Sequence, residues 1–235
     1  FRLCTSTFQI LAHVFILMIC YHEKKSILLL LVPIITVFMC GSRTYFVIGA
    51  VLSILCLYRF FNDRRLFIAS LVPLIIISVY FVGKSAIGDK FHVTNQIGYY
   101  GYLATFTSGR SDFWLVDIAS YFDGNLFNKL LGYGFNKSID VNYARYGNRI
   151  WSHNDFIECL LTGGLIQLSI YLASIKKLFS FYANERNRFF IISLLGVWFF
   201  DAFFNMFYTY FGTSLGLLLT VCFVDYVKKD KVRAG

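Results

Sequence analysis

The chain has 235 residues, of which 57% are hydrophobic, 20% aromatic and only 15% charged, and it carries a net charge of +9. Mean hydropathy is +0.62, whereas a soluble domain is about 45–50% apolar and about 25% charged. There are too few charges to cover a water-facing surface, so disordered, collagen-like and disulfide-stapled secreted chains are excluded and an integral membrane protein remains.

Seven apolar runs approach the length needed to cross a hydrocarbon core of about 30 Å. In chain order they are 5–21, 26–41, 44–60, 66–82, 153–175, 188–203 and 206–227. Pro33 and Pro73 fall inside predicted spans, where neighbouring helices re-satisfy the freed carbonyls. The first residue is Phe1, and no charged segment precedes the first run. No signal peptide is therefore expected, and the chain reads as the C-terminal part of a longer membrane protein. The six cysteines lie scattered in or beside apolar runs without a CxxC pair and read as small hydrophobes.

Residues 83–152 differ. They are rich in Gly, Asn, Asp, Ser and Tyr, contain no run of spanning length, and are expected to form a large water-facing loop. Short connections carrying Lys/Arg mark the cytoplasmic side. Lys24 and Lys25, then Arg59, Arg64 and Arg65, then Lys176, Lys177, Arg186 and Arg188, then the tail from Lys228 to Arg233 all fall on one side of seven alternating spans. The basic excess is a topology signal, which argues against nucleic acid as a partner. The C-terminus is expected in the cytoplasm and 83–152 outside it. No repeat of 20–50 residues and no matched pair of broken helices, the pointer to many transporters, is visible, and the spans hold almost no mid-depth charge. The domain reading is four spans over 1–82, the loop 83–152, and three spans with a tail over 153–235.

Polar chemistry collects at the outer level. Arg43 sits in the turn Gly41-Ser42-Arg43-Thr44 between two runs. It either snorkels to the lipid head groups or presents a guanidinium fork to a phosphate. Thr107-Ser108-Gly109-Arg110-Ser111-Asp112-Phe113-Trp114 reads as the start of a helix capped by Ser108 or Ser111, with N–H groups and Arg110 available to an anion and Trp114 as anchor. In Gly132-Tyr133-Gly134-Phe135 the rings either stack on sugars or pack the loop; no phosphate-loop pattern follows. Arg145 and Arg149 are solvated charges or anion contacts. At Ser152-His153-Asn154-Asp155, Ser152 or Asn154 caps a helix and Asp155 suits its dipole. His153 is either a structural imidazole or a proton acceptor. No second His or Cys stands at metal-ligand spacing.

Taken together, Ser42-Arg43, then Gly109-Arg110 with Trp114, then Gly132 and Gly134, then His153-Asn154 ahead of a Gly163-Gly164 pair resemble the O-antigen polymerase and O-antigen ligase superfamily of bacterial envelope proteins, over residues 26–180. The resemblance implies an all-α polytopic bundle of the GT-C type in the bacterial inner membrane, with 83–152 as a periplasmic loop. It implies a glycosyltransferase that takes its glycan from undecaprenyl pyrophosphate, needs no metal or nucleotide, and works alongside a chain-length regulator protein. Members have more than seven spans, so further helices are expected before Phe1. The polymerase extends the lipid-linked chain, whereas the ligase moves it to the lipid A core. On this reading Arg43 and Arg110 hold the pyrophosphate and His153 is the base. Arg145, Arg149, Asn154, Trp114, Tyr133 and Glu158 line the substrate. An acidic residue often follows His-Asn in that family where Thr162 stands here, and Glu158 is the nearest substitute. A glycan flippase is the alternative from a different class.

Overall fold

A computed structural model describes residues 63–83, 104, 107–182 and 188–206, with isolated positions at 50, 54, 58, 61, 215 and 218. Every regular element among the described residues is an α-helix, and none is a strand. The predicted runs 5–21 and 26–41, most of 44–60 and of 206–227, and Arg43 lie outside them. The chain divides into two units, 1–92 with 211–235, and 93–210.

In the first unit, α1 covers Arg64–Gly83, matching the expected run 66–82. Asp63 opens it: its carboxylate accepts from the Arg65 N–H at 2.8 Å, and its carbonyl accepts from Phe67 at 3.0 Å. The helix passes through Pro73. Leu66, Ile68, Val72, Ile75, Ile76 and Tyr80 stand exposed along it.

The second unit begins with α2, Arg110–Phe122. Its start is not capped by Ser108 or Ser111. Gly109 occupies the N-cap in the left-handed region and gives no side-chain cap, and the hydroxyl of Thr107 accepts from the Ser111 N–H at 3.0 Å. Helix α3, Leu126–Leu131, is capped by Asn125, whose side chain accepts from the Asn128 N–H. Helix α4, Lys137–Tyr146, ends on Gly147 at φ 70, whose N–H returns to the Tyr143 carbonyl, the glycine stop expected of a left-handed cap. Trp114 and Tyr121 of α2 join Ile157 and Leu161 in the buried core, and Tyr133, Leu160, Phe203 and Phe204 pack around them.

Helix α5 runs from Asp155 to Tyr182, and α6 covers Arg188–Phe204. Among the described residues one helical stretch, Asp155–Phe181, is long and apolar enough to cross a membrane. The expectation of one straight span over 153–175 nevertheless needs correction, because α5 is broken at Gly164, where φ is 66 and ψ is −160. The Tyr171 hydroxyl donates to the Asp155 carboxylate at 2.7 Å, and the rings of Phe156 and Tyr171 meet at 6.4 Å. In an unbroken helix these residues would be about 24 Å apart along the axis at about 1.5 Å per residue, beyond the reach of both side chains. The chain therefore folds back at Gly164 into a short arm, 155–163, and a long arm, 165–182. The short arm is mostly buried, and only the long arm, at roughly 27 Å, approaches a hydrocarbon core in length.

The break has a partner. Folding back at Gly164 removes the α-helical donors for the carbonyls of Leu161 and Thr162. Those carbonyls instead accept from the N–H groups of Tyr133 at 2.7 Å and Gly134 at 2.9 Å. Buried backbone carbonyls need a partner, and here the 132–134 turn supplies it. The two backbones approach so closely that a Cβ on Gly132 would lie 2.4 Å from the Thr162 carbonyl, and one on Gly164 would lie 2.4 Å from that of Leu130.

Candidate functional site

Three chain segments converge beside the core: the start of α2, the turn 152–154 ahead of α5, and the end of α6. Arg110, the first residue of α2, donates to the Phe204 carbonyl at the end of α6. Its charge acts on both His153 and Asp201. Two residues far apart in sequence, Arg110 and His153, are thus brought within electrostatic reach of one another.

The His153 turn is held on both flanks. The Trp114 indole N–H donates to the Ser152 carbonyl at 2.7 Å. The Ser152 hydroxyl donates to the Glu158 carboxylate at 2.7 Å, so Ser152 does not cap α5. Asn154 does: its Oδ1 accepts from the N–H groups of Phe156 and Ile157 at 3.0 and 3.2 Å, while its Nδ2 donates to the Phe203 carbonyl at 3.0 Å. His153 itself lies between these anchors with φ 51, a left-handed conformation uncommon in a residue with a side chain. Among the described residues its buried Nδ1 has no hydrogen-bond partner. Burial, and then the nearby Arg110 charge, lower its pKa from 6.5 to about 4. The ring is therefore neutral at physiological pH, free to accept a proton but a weaker base than an exposed histidine.

Behind the turn lies a buried polar cluster. Asp117 on α2 accepts from the Asn142 amide at 3.2 Å, and that amide also donates to the Ile150 carbonyl. Asp117, Asn142, Ser152 and Glu158 are all buried. Burial raises the Asp117 pKa from 3.8 to about 7; the Asn142 hydrogen bond opposes the rise, the charge of Glu158 adds to it, and the Ser152 hydrogen bond opposes it again.

The remaining sequence candidates separate by role. Trp114, Asn154 and Glu158 are buried and engaged in holding the turn. Tyr133 is half-buried, donates from its hydroxyl to the Ser120 carbonyl at 3.0 Å, and has the Lys137 ammonium over its ring at 4.6 Å. Arg145 and Arg149 are exposed, with Arg149 over the Tyr143 ring at 5.7 Å. Neither contributes to the shift at His153. The Thr162 hydroxyl donates to the Glu158 carbonyl at 2.7 Å and stands 2.9 Å from the Gln167 side-chain amide, closing the bend from within. Asp155 meets Tyr171, whose hydroxyl also accepts from the Trp198 indole at 3.1 Å.

Sequence reasoning did not single out Asp117, Asn142 or Asp201. Asp117 stands at i+3 from Trp114 and four before Tyr121, the spacing of one helix face, so an acid on an inward stripe was the available signal. Asp201 lies in an otherwise apolar run and is buried, so an acid inside a hydrophobic stretch was the available signal.

Among the described residues no group of three or more His, Cys, Asp and Glu is placed to hold a metal. Compared with protein families, curated proteins and solved structures, the chain matches none.

Proposed function

We propose that the chain belongs to a multi-spanning bacterial inner-membrane glycosyltransferase that polymerises glycan repeat units carried on undecaprenyl pyrophosphate. The observation that carries the reading is the convergence of Arg110 and His153, with the histidine neutral, strained and flanked by fixed anchors. The motif order described above supports it, as does the coincidence of α1 and α6 with two of the seven apolar runs. The GT-C architecture and the seven-span topology belong to the same proposal.

In this reading the acceptor hydroxyl attacks the anomeric carbon of the donor glycan. The carbon–oxygen bond to pyrophosphate breaks, and its electron pair leaves with the phosphate oxygen. The hydroxyl proton passes to the His153 imidazole, and the configuration inverts. Charge develops on the leaving oxygen, where a guanidinium already fixed by the Phe204 carbonyl stabilises it more in the transition state than before. Arg43 is proposed as the second cation. A ligase would use the same groups with a lipid A core acceptor.

The test is turnover of a lipid-linked repeat by the purified full-length protein. His153→Ala is expected to lose about 100-fold to 10,000-fold in rate. Arg110→Lys keeps the charge but not the fork and is expected to lose most activity at an unchanged thermal midpoint. Normal chain growth by both variants overturns the assignment. One observation favours a second reading: a helix broken at Gly164 is the kind of element that transporters build around a solute. Reconstitution separates the two, since a transferase lengthens glycan and a transporter changes only the leaflet that holds it.

A further inference from the structure

Helices α2 and α3 are turned the wrong way for a loop bathed in water. Leu115, Ile118, Ala119 and Phe122 are the exposed positions of α2, while Trp114, Asp117 and Tyr121 face inward. On α3 the exposed positions are Leu126, Phe127, Leu130 and Leu131, whereas Asn128 and Lys129 are part-buried. Phe127 is 73% and Leu126 71% exposed, and Phe135 just beyond is 91% exposed. The neighbouring α4 has the ordinary arrangement, with Asp140 and Arg145 exposed and Ser138 and Asn142 buried. Among the described residues of 107–150 the inversion is most marked on α2, α3 and the turn after them, although α4 also exposes Tyr143 at 54%.

We propose that α2 and α3 lie in the boundary layer of the bilayer with these apolar side chains against the acyl chains, so that part of the 83–152 segment is a membrane-surface element. Continuity identifies lipid as the occupant. Helix α3 ends in backbone contact with the bend of α5, and the long arm, the one of near-spanning length, leaves that bend with Leu165 and Ile166 exposed. A bilayer that covers the arm meets α3 at its edge. The Lys137 ammonium over the Tyr133 ring, beside Phe135, is the mixture of cation and aromatic found at head-group level. Monomeric proteins seldom leave contiguous apolar faces of this kind to water, and helices with one apolar face settle at that depth.

The experiment uses the full chain in vesicles of phosphatidylethanolamine and phosphatidylglycerol, with nitroxides attached at Phe122→Cys, Phe127→Cys and Leu131→Cys, and at Asp140→Cys on α4 as the water reference. Replacing exposed residues removes no core contact. Collisions with oxygen, which partitions into lipid, are expected to exceed those with a water-soluble nickel complex several-fold at 122, 127 and 131, and to fall below them at 140. Nickel dominating at 127 and 131 overturns the proposal in favour of water. Exclusion of both reagents overturns it in favour of a protein segment or second copy on the same face. A second readout is the fluorescence of Leu115→Trp, expected to be quenched by lipids brominated on the acyl chain; an unquenched signal counts against. Both measurements read depth and not turnover, so their failure leaves the transfer chemistry of Arg110 and His153 untouched.

Discussion

His153 and Asp117 titrate in opposite senses, and together they conceal one another. The Asp117 carboxyl binds its proton more tightly in the folded chain, because its pKa rises from 3.8 to about 7. Its contribution to stability is full at acid pH and is lost as pH climbs through that interval. His153 falls from 6.5 to about 4, so its contribution is present above the ordinary histidine range and is lost as pH drops towards 4. Between pH 4 and 6.5 the two slopes oppose, each by up to about 1.4 kcal/mol per pH unit. Asp117→Asn is expected to leave a protein that loses stability on acidification, and His153→Gln one that loses it on alkalinisation. Thermal midpoints of the detergent-solubilised chain across that window check both; two variants with the parent's flat profile would contradict the assignment. Asn154→Ala removes a cap and a tie to Phe203 together and is expected to cost about 1–2 kcal/mol, read as a lower midpoint for the unit 93–210. Residue type and order brought Arg110, His153 and Asn154 forward as candidates, and the structure gathers them around one turn. Asp117 was not brought forward, because its environment is built by Asn142, Ser152 and Glu158 from other segments, and no local pattern announces that.

At the scale of elements, the bend in α5 depends on two glycines for different reasons. Gly132 has φ 76 and a neighbouring backbone in the path of any Cβ, whereas Gly134 has φ 94 with open space around it. Gly134→Ala therefore meets backbone strain alone, about 1–2 kcal/mol. Gly132→Ala adds a collision with backbone that cannot move aside, and its loss is expected to be the larger of the two. Equal midpoints for the pair would show that the close approach does not matter. Tyr171→Phe cuts the link between the arms while keeping the ring; limited proteolysis near 163–164 is expected to accelerate. A Gly163-Gly164 pair inside an apolar run reads as a tolerated weakness in a straight helix. What converts it into a bend is a pair of N–H donors some thirty residues upstream, which hydropathy does not register. Apolar run length recovered α1 and α6, because in both the helix keeps nearly the limits of the run.

For the whole molecule, composition led to the expectation of a membrane protein, and the described residues keep the helical class with one candidate span by length and hydropathy, interrupted at Gly164. The proposed topology sets α4 and the end of the long arm on opposite sides. In intact cells a membrane-impermeant thiol reagent is expected to label Tyr143→Cys and to spare Lys177→Cys until the membrane is opened. Labelling of both from outside would mean that 165–182 does not cross, and the basic link 176–188 would then lose its value as a cytoplasmic marker.

The clasp between the 132–134 turn and the carbonyls of Leu161 and Thr162 also implies an order of assembly. A ribosome makes the turn before it makes α5, so the donors are in place when the glycine pair emerges. A segment that the insertion machinery would read as one continuous hydrophobic helix meets a waiting template and is creased as it arrives. Relinking the chain so that 126–135 follows 182 would remove that head start, and the yield of correctly folded protein is expected to fall.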